Sequence, residues 1–161
     1  MIWVVLLWAQ GAVQQQVQRG EALFLENSRG CANCHALKGH GTAVGPDLSV
    51  MGRLSPQAIA TAIRSSVTEY VQAVKLKSGE TFPGMPLAGD DSHTQFYDVS
   101  KMPPELRKLE PSDIVSAMAQ TAWKHPPAVA NFTDQQVADI VAYVRYAVTG
   151  SAKPVDPTDV Q

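Results

Sequence analysis

Apolar positions recur along this chain at two periods, and the change from one to the other divides it. Val13, Val17, Gly20 and Phe24 fall on one stripe at helical spacing, which predicts a helix over Val13–Asn27, ended by Asn27-Ser28-Arg29-Gly30. Ser55-Pro56 supplies an N-cap followed by proline at the first helical position, predicting a second helix to about Ser66. From Tyr70 the period shortens. "YVQAVKLKSGETFPGMPL" alternates around a Ser78-Gly79 turn, and "HTQFYDV" comes after a second turn at Gly89-Asp90-Asp91, so residues 70–100 read as a small strand-and-turn insertion. Prolines then gather at Pro103-Pro104, Pro111 and Pro126-Pro127. The strongest helical pattern comes last: Phe132 at the staple position, a Thr133/Gln136 capping box, and a stripe of Val137, Ile140, Val141, Val144 and Val148 stopped by Gly150. Residues 151–161 are expected to form a flexible tail. The sum predicts a mostly α fold with a β-hairpin inserted between the second helix and the loop that leads to the last one.

The first sixteen residues, "MIWVVLLWAQGAVQQQ", carry an apolar run from Ile2 to Ala9, with small residues at Ala9 and Gly11. The pattern is that of a secretory signal over residues 1–12. It is far shorter than the roughly 20 residues that span a bilayer, so no transmembrane span is expected. Residues 13–150 suit a single domain. Charge narrows the partners: 13 basic against 15 acidic side chains leave a net −2, with no basic run, which argues against nucleic acid or an anionic membrane.

The candidate chemistry lies in "RGCANCHALKG", which holds both cysteines of the chain. Two thiols separated by two residues can bind zinc, form a redox disulfide, or add across the vinyl groups of haem. Structural zinc asks for four ligands, commonly two such pairs, and there is no second pair. A thioredoxin-like pair asks for a preceding strand, whereas the residues before Cys31 read as helix. Haem attachment asks for a histidine at the next position, and His35 stands there: Cys31, Cys34 and His35 make the C-x-x-C-H signature of covalently held haem c.

At these residues the chain resembles the class I cytochromes c. "GEALFLENSRGCANCHALKGHGTAVGPDLS" is similar to that family's N-terminal helix, attachment loop and Gly-Pro-Asp-Leu stretch, and "FTDQQVADIVAYVRYA" to its C-terminal helix. The resemblance implies a cytochrome c fold holding one haem c, with thioethers at Cys31 and Cys34 and His35 as the proximal iron ligand. It also implies that Gly20 and Phe24 pack on the last helix near Tyr143, and that the Pro46 carbonyl accepts from the non-ligating nitrogen of His35. The stretch from Tyr70 to about Ile114 looks more like the haem domains that accompany quinoprotein and sugar dehydrogenases, through an L-x-x-G hairpin at "LKSG". That implies redox proteins as partners, a dehydrogenase as donor and a cytochrome or oxidase as acceptor, met in the periplasm by a monomer.

The sixth iron ligand is where the chain departs from the family's methionine. In the family this ligand is followed by proline and a short loop into the last helix. His125, before Pro126, meets both conditions; Met118 has the distance without the proline, and Met102 has the proline without the distance. His125 therefore leads, then Met118, then Met102, with Met85 or an empty position behind them. His40 and His93 are expected on surface turns. A filled position makes the protein a single-electron carrier rather than an enzyme, whereas an open one would make it a haem enzyme or gas sensor.

Overall fold

The computed structural model describes residues 2–65, 70–125 and 131–161. Among the described residues are the α-helices α1 (Ile2–Phe24), α2 (Pro56–Ser65) and α3 (Asp134–Thr149), and a short ribbon of β1 (Ala36–Leu37) and β2 (His40–Gly41). A five-stranded sheet comprises β3 (Gln72–Leu76), β4 (Thr81–Pro86), β5 (Gln95–Asp98), β6 (Glu105–Lys108) and β7 (Ile114–Ala119). The expected end of the second helix, Ser66, lies outside the described residues.

Helix α3 is the centre of the helical layer because its start, stop and buried face are all written locally. Gln136 N–H donates to Thr133 Oγ1 and Thr133 N–H donates back to Gln136 Oε1, satisfying two of the helix's otherwise unpaired donors. At the other end Gly150 takes φ 69° and donates to the Tyr146 carbonyl at 2.8 Å, a left-handed cap that glycine adopts without strain. Residues Val137 to Val144 are buried without interruption. Helix α1 crosses α3 in backbone contact: a Cβ at Gly20 would lie 1.9 Å from the Asp139 carbonyl oxygen. Phe24 meets the Tyr143 ring with centroids 5.4 Å apart. Asp139, buried in the crossing, accepts from Arg19 at 2.8 and 3.0 Å and from Gln135 at 2.8 Å, so its charge is fully partnered. Helix α1 starts well before Val13 and is continuous with the segment read as a signal.

The sheet overturns the expectation of a mostly α fold. Among the described residues seven strands form two antiparallel sheets, one of five strands and one of two. The strand order is β6-β5-β4-β3-β7, every neighbour antiparallel, with β7 returning to the edge of β3 opposite β4. The alternation visible around Ser78-Gly79 corresponds to the β3–β4 hairpin, in register at Lys75↔Thr81 and Val74↔Phe82. Strands β6 and β7 carry no such signal because both are edges, and each exposes most of its residues whichever face they take. The prolines at 103, 104 and 111 fall between strands. On one face Val74, Leu76, Phe82 and Phe96 form a second small core, and on the other Met85 pairs with Tyr97.

The segment after Gly150 is also corrected, from a flexible tail to a docked strap. Val155 and Val160 are buried in the main core. Gln16, itself buried, donates to the Val155 carbonyl at 2.8 Å and accepts from Val155 N–H at 3.0 Å. Arg64 of α2 bonds the Val160 carbonyl and the Asp134 carboxylate, tying strap, α2 and the start of α3 together.

Since the α1–α3 crossing leaves no room for a side chain at Gly20, Gly20→Ala is expected to force the helices apart and cost about 1–3 kcal/mol. Guanidinium unfolding of the haem-loaded protein reads this; an unchanged midpoint would mean that the crossing is loose.

Candidate functional site

The C-x-x-C-H stretch is shaped by hydrogen bonds of its own backbone. Cys31–Asn33 form a single 3-10 turn, and both Cys34 N–H and His35 N–H donate to the Cys31 carbonyl, at 3.1 and 2.8 Å. Asn33 Nδ2 ties the turn to the segment that follows α1 through the carbonyls of Glu26 and Asn27. The β1–β2 ribbon then reverses the chain, and Val44 and Gly45 both donate to the Cys34 carbonyl at 3.0 and 2.6 Å. Gly45 is thereby laid against the imidazole of His35. A Cβ there would stand 2.7 Å from Cε1 and 3.0 Å from Nδ1, so the ring rests on bare backbone. His35 Nδ1 donates to the Pro46 carbonyl at 2.7 Å, which leaves the ring's lone pair on Nε2.

A second imidazole faces the first. His125 comes shortly after β7, and its Nδ1 donates to the Ile63 carbonyl of α2 at 3.1 Å. Its ring centre lies 6.1 Å from that of His35, with the planes at 60°. Trp123 meets it edge-on at 5.8 Å. Burial holds both imidazoles below their ordinary pKa, against the smaller opposing effect of each Nδ1 hydrogen bond, and the proximity of the rings lowers His125 further. Both are neutral at physiological pH, the form in which imidazole binds a metal. Burial also pushes the thiols up, Cys31 to about 12 and Cys34 to about 11, so neither is a thiolate in this setting.

The rings, thiols and surrounding side chains line one cleft of about 300 Å³, within the size range of cofactor sites. Its lining includes Phe24 of α1, Ile59 and Ile63 of α2, Ile140 and Val144 of α3, and Met51, Met85, Met102 and Tyr70. The walls are almost wholly apolar. Among the described residues no cluster of three or more His, Cys, Asp or Glu side chains could hold a metal ion alone, which leaves the zinc alternative without its ligands.

The cleft's almost wholly apolar walls, with two neutral imidazoles whose ring centres are 6.1 Å apart, would suit a flat apolar cofactor that carries a metal. Of the sequence candidates, Cys31, Cys34, His35, Pro46 and His125 come together here, joined by Met102 and Met85. Met118 does not: it is 69% exposed on β7 and absent from the cleft. His40 and His93 are exposed. Pro126, the proline behind His125, lies outside the described residues. Three contributors have no counterpart among the sequence candidates: Gly45, Ile63 and Trp123. The first two act through bare backbone, which carries no side-chain signature.

An apolar cleft that presents two thiols and an adjacent imidazole defines a site for covalently attached haem. A family profile described as Cytochrome c matches residues 17–113, more than half of the chain, and the chain belongs to the cytochrome c family. It therefore binds covalent haem c with its iron, as an electron carrier in the general sense of that family. The match ends before His125 and α3. A search of curated proteins finds no match. No helix among the described residues is long and apolar enough to cross a membrane.

A buried histidine with a lowered pKa binds fewer protons than the unfolded chain in the window between the two values, so stability falls as pH drops through that window. The other two of the four histidines are exposed. The unfolding midpoint is therefore expected to fall as pH drops below about 6.5, the ordinary imidazole value, towards the carboxylate range. A flat midpoint over that interval would place both rings in water.

Proposed function

We propose that this chain is a mono-haem carrier of single electrons with two imidazoles on the iron. In this reading Cys31 and Cys34 hold the haem through thioethers, His35 is the proximal ligand and His125 the distal one. The observation that carries it is the facing pair of rings, each tied through Nδ1 to a main-chain carbonyl, Pro46 on one side and Ile63 on the other. When bound, the haem supplies an iron centre that takes up and returns one electron. The chain's own part is to orient and to exclude. The two carbonyls fix tautomer and direction, so each ring presents Nε2 without rearrangement. Ile59, Ile63, Val144 and Phe24 keep water away, which favours a ligand set that stays in place as the charge changes. With His125 in position no coordination site is left for a substrate.

Chemistry and resemblance together indicate the partners. A near-neutral surface suits brief, small encounters, with a dehydrogenase as donor and a further cytochrome or an oxidase as acceptor. The hairpin at Leu76-Lys77-Ser78-Gly79 supports a donor of the quinoprotein or sugar-dehydrogenase type. Residues 1–12 act as the export signal and the remaining chain works as a monomer in the periplasm.

Acid–acetone extraction is expected to leave the haem with the protein, and haem in the solvent would contradict the thioethers. His125→Ala is expected to convert low-spin iron to a form that binds carbon monoxide at once, while Met102→Ala, Met85→Ala and Met118→Ala stay low-spin. If Met102→Ala or Met85→Ala alone opens the iron, a thioether is the distal ligand and the potential belongs higher.

A further inference from the structure

We propose that Trp123 is the positioning residue for the distal imidazole, holding His125 at its crossed angle to His35. The proposal rests on the reading of His125 as an iron ligand. The hydrogen bond from Nδ1 to the Ile63 carbonyl fixes where the imidazole is anchored, and not how its plane is turned about that bond. Trp123 sets the turn: its ring meets His125 edge-on, centroids 5.8 Å apart at 62°, a geometry that aromatic pairs prefer. The indole is itself held. The backbone N–H of Trp123 donates to the Gln120 carbonyl at 2.9 Å, and that of Gln120 to the Val71 carbonyl at 2.8 Å, which fastens the turn after β7 to the chain entering β3. The side chain packs against the buried cluster of Val44, Val71 and Val99. The five-stranded sheet thus has a purpose at the iron site: it carries a rigid aromatic wedge to the distal side. The angle of 60° between the imidazole planes is the property the wedge preserves.

The relative orientation of two axial imidazoles sets the spread of the g-values of ferric low-spin iron, so electron paramagnetic resonance reads this angle directly. The haem-loaded protein is expected to give one low-spin species of large anisotropy. Trp123→Ala is expected to shift its g-values or split it into several species. Ferrous Trp123→Ala should also bind carbon monoxide roughly three- to tenfold faster, the factor expected from losing one edge-on aromatic contact. Trp123→Phe, which keeps an aromatic edge, should restore both readouts. Val71→Ala loosens the same cluster at a residue outside the cleft lining and should lower stability while leaving the g-values alone. Unchanged g-values and carbon monoxide rate in Trp123→Ala would overturn the proposal and leave Trp123 as packing. Should Trp123→Ala not fold, Trp123→Leu replaces it, with shifted g-values supporting the wedge and unshifted ones overturning it. Near-infrared magnetic circular dichroism of the unaltered protein separates the two ideas: a sulfur-ligand signature there removes the His125 reading itself, before any Trp123 variant is compared.

Discussion

Two imidazoles meet across an apolar cleft, each anchored through Nδ1 to a main-chain carbonyl, and the rest of the structure is arranged to hold that meeting in direction. A ring in such a place must be neutral, aimed and short of water. Burial provides the first, the carbonyls of Pro46 and Ile63 the second, and the walls of Ile59, Val144 and Phe24 the third. His35 and His125 stand ninety residues apart, so their alignment depends on everything that fixes one end of the chain against the other.

The crossing of α1 and α3 is the first of those fixtures. Gly20 allows the two backbones to touch, and the contact places the end of α1, with the Cys31–Asn33 turn behind it, against the buried face of α3. The strap after Gly150 closes the same layer from outside through Val155, Val160 and Gln16. A small domain with a cleft through its core has limited apolar burial of its own, and these clamps compensate. Filling the cleft adds the remainder. Burial of apolar surface is worth about 25 cal/mol per Å², so the cofactor is part of the core as much as its cargo. The sheet is the second fixture, since β7 leads directly into the segment bearing Trp123 and His125.

Legibility in the sequence depends on whether a feature is local. Cys31, Cys34 and His35 lie within five residues, and their chemistry needs only that spacing. Thr133 with Gln136, and Gly150, are equally local, and α3 begins and ends where they predict. His125 is reachable by counting back from α3, a short distance. Strands β6 and β7 are not, because an edge strand exposed on both faces has no alternation to read. The docking of Val155 and Val160 escapes for a similar reason: two isolated valines among Pro, Asp and Lys make no period. On distance along the chain Met118 ranks above Met102, yet β7 carries it into solvent while Met102 reaches the cleft, a difference set by the sheet and not by any residue near either methionine. The Ile63 carbonyl and the bare backbone of Gly45 are contributions that no side chain announces.

The identity of the distal ligand decides whether the protein is the closed, two-imidazole carrier described above, and iron K-edge X-ray absorption on the haem-loaded protein addresses it without any substitution. The expected result is an iron bound by nitrogen alone, four pyrrole nitrogens and two imidazoles, in both oxidation states. A sulfur scatterer among the iron's neighbours, or a five-coordinate iron, would contradict it.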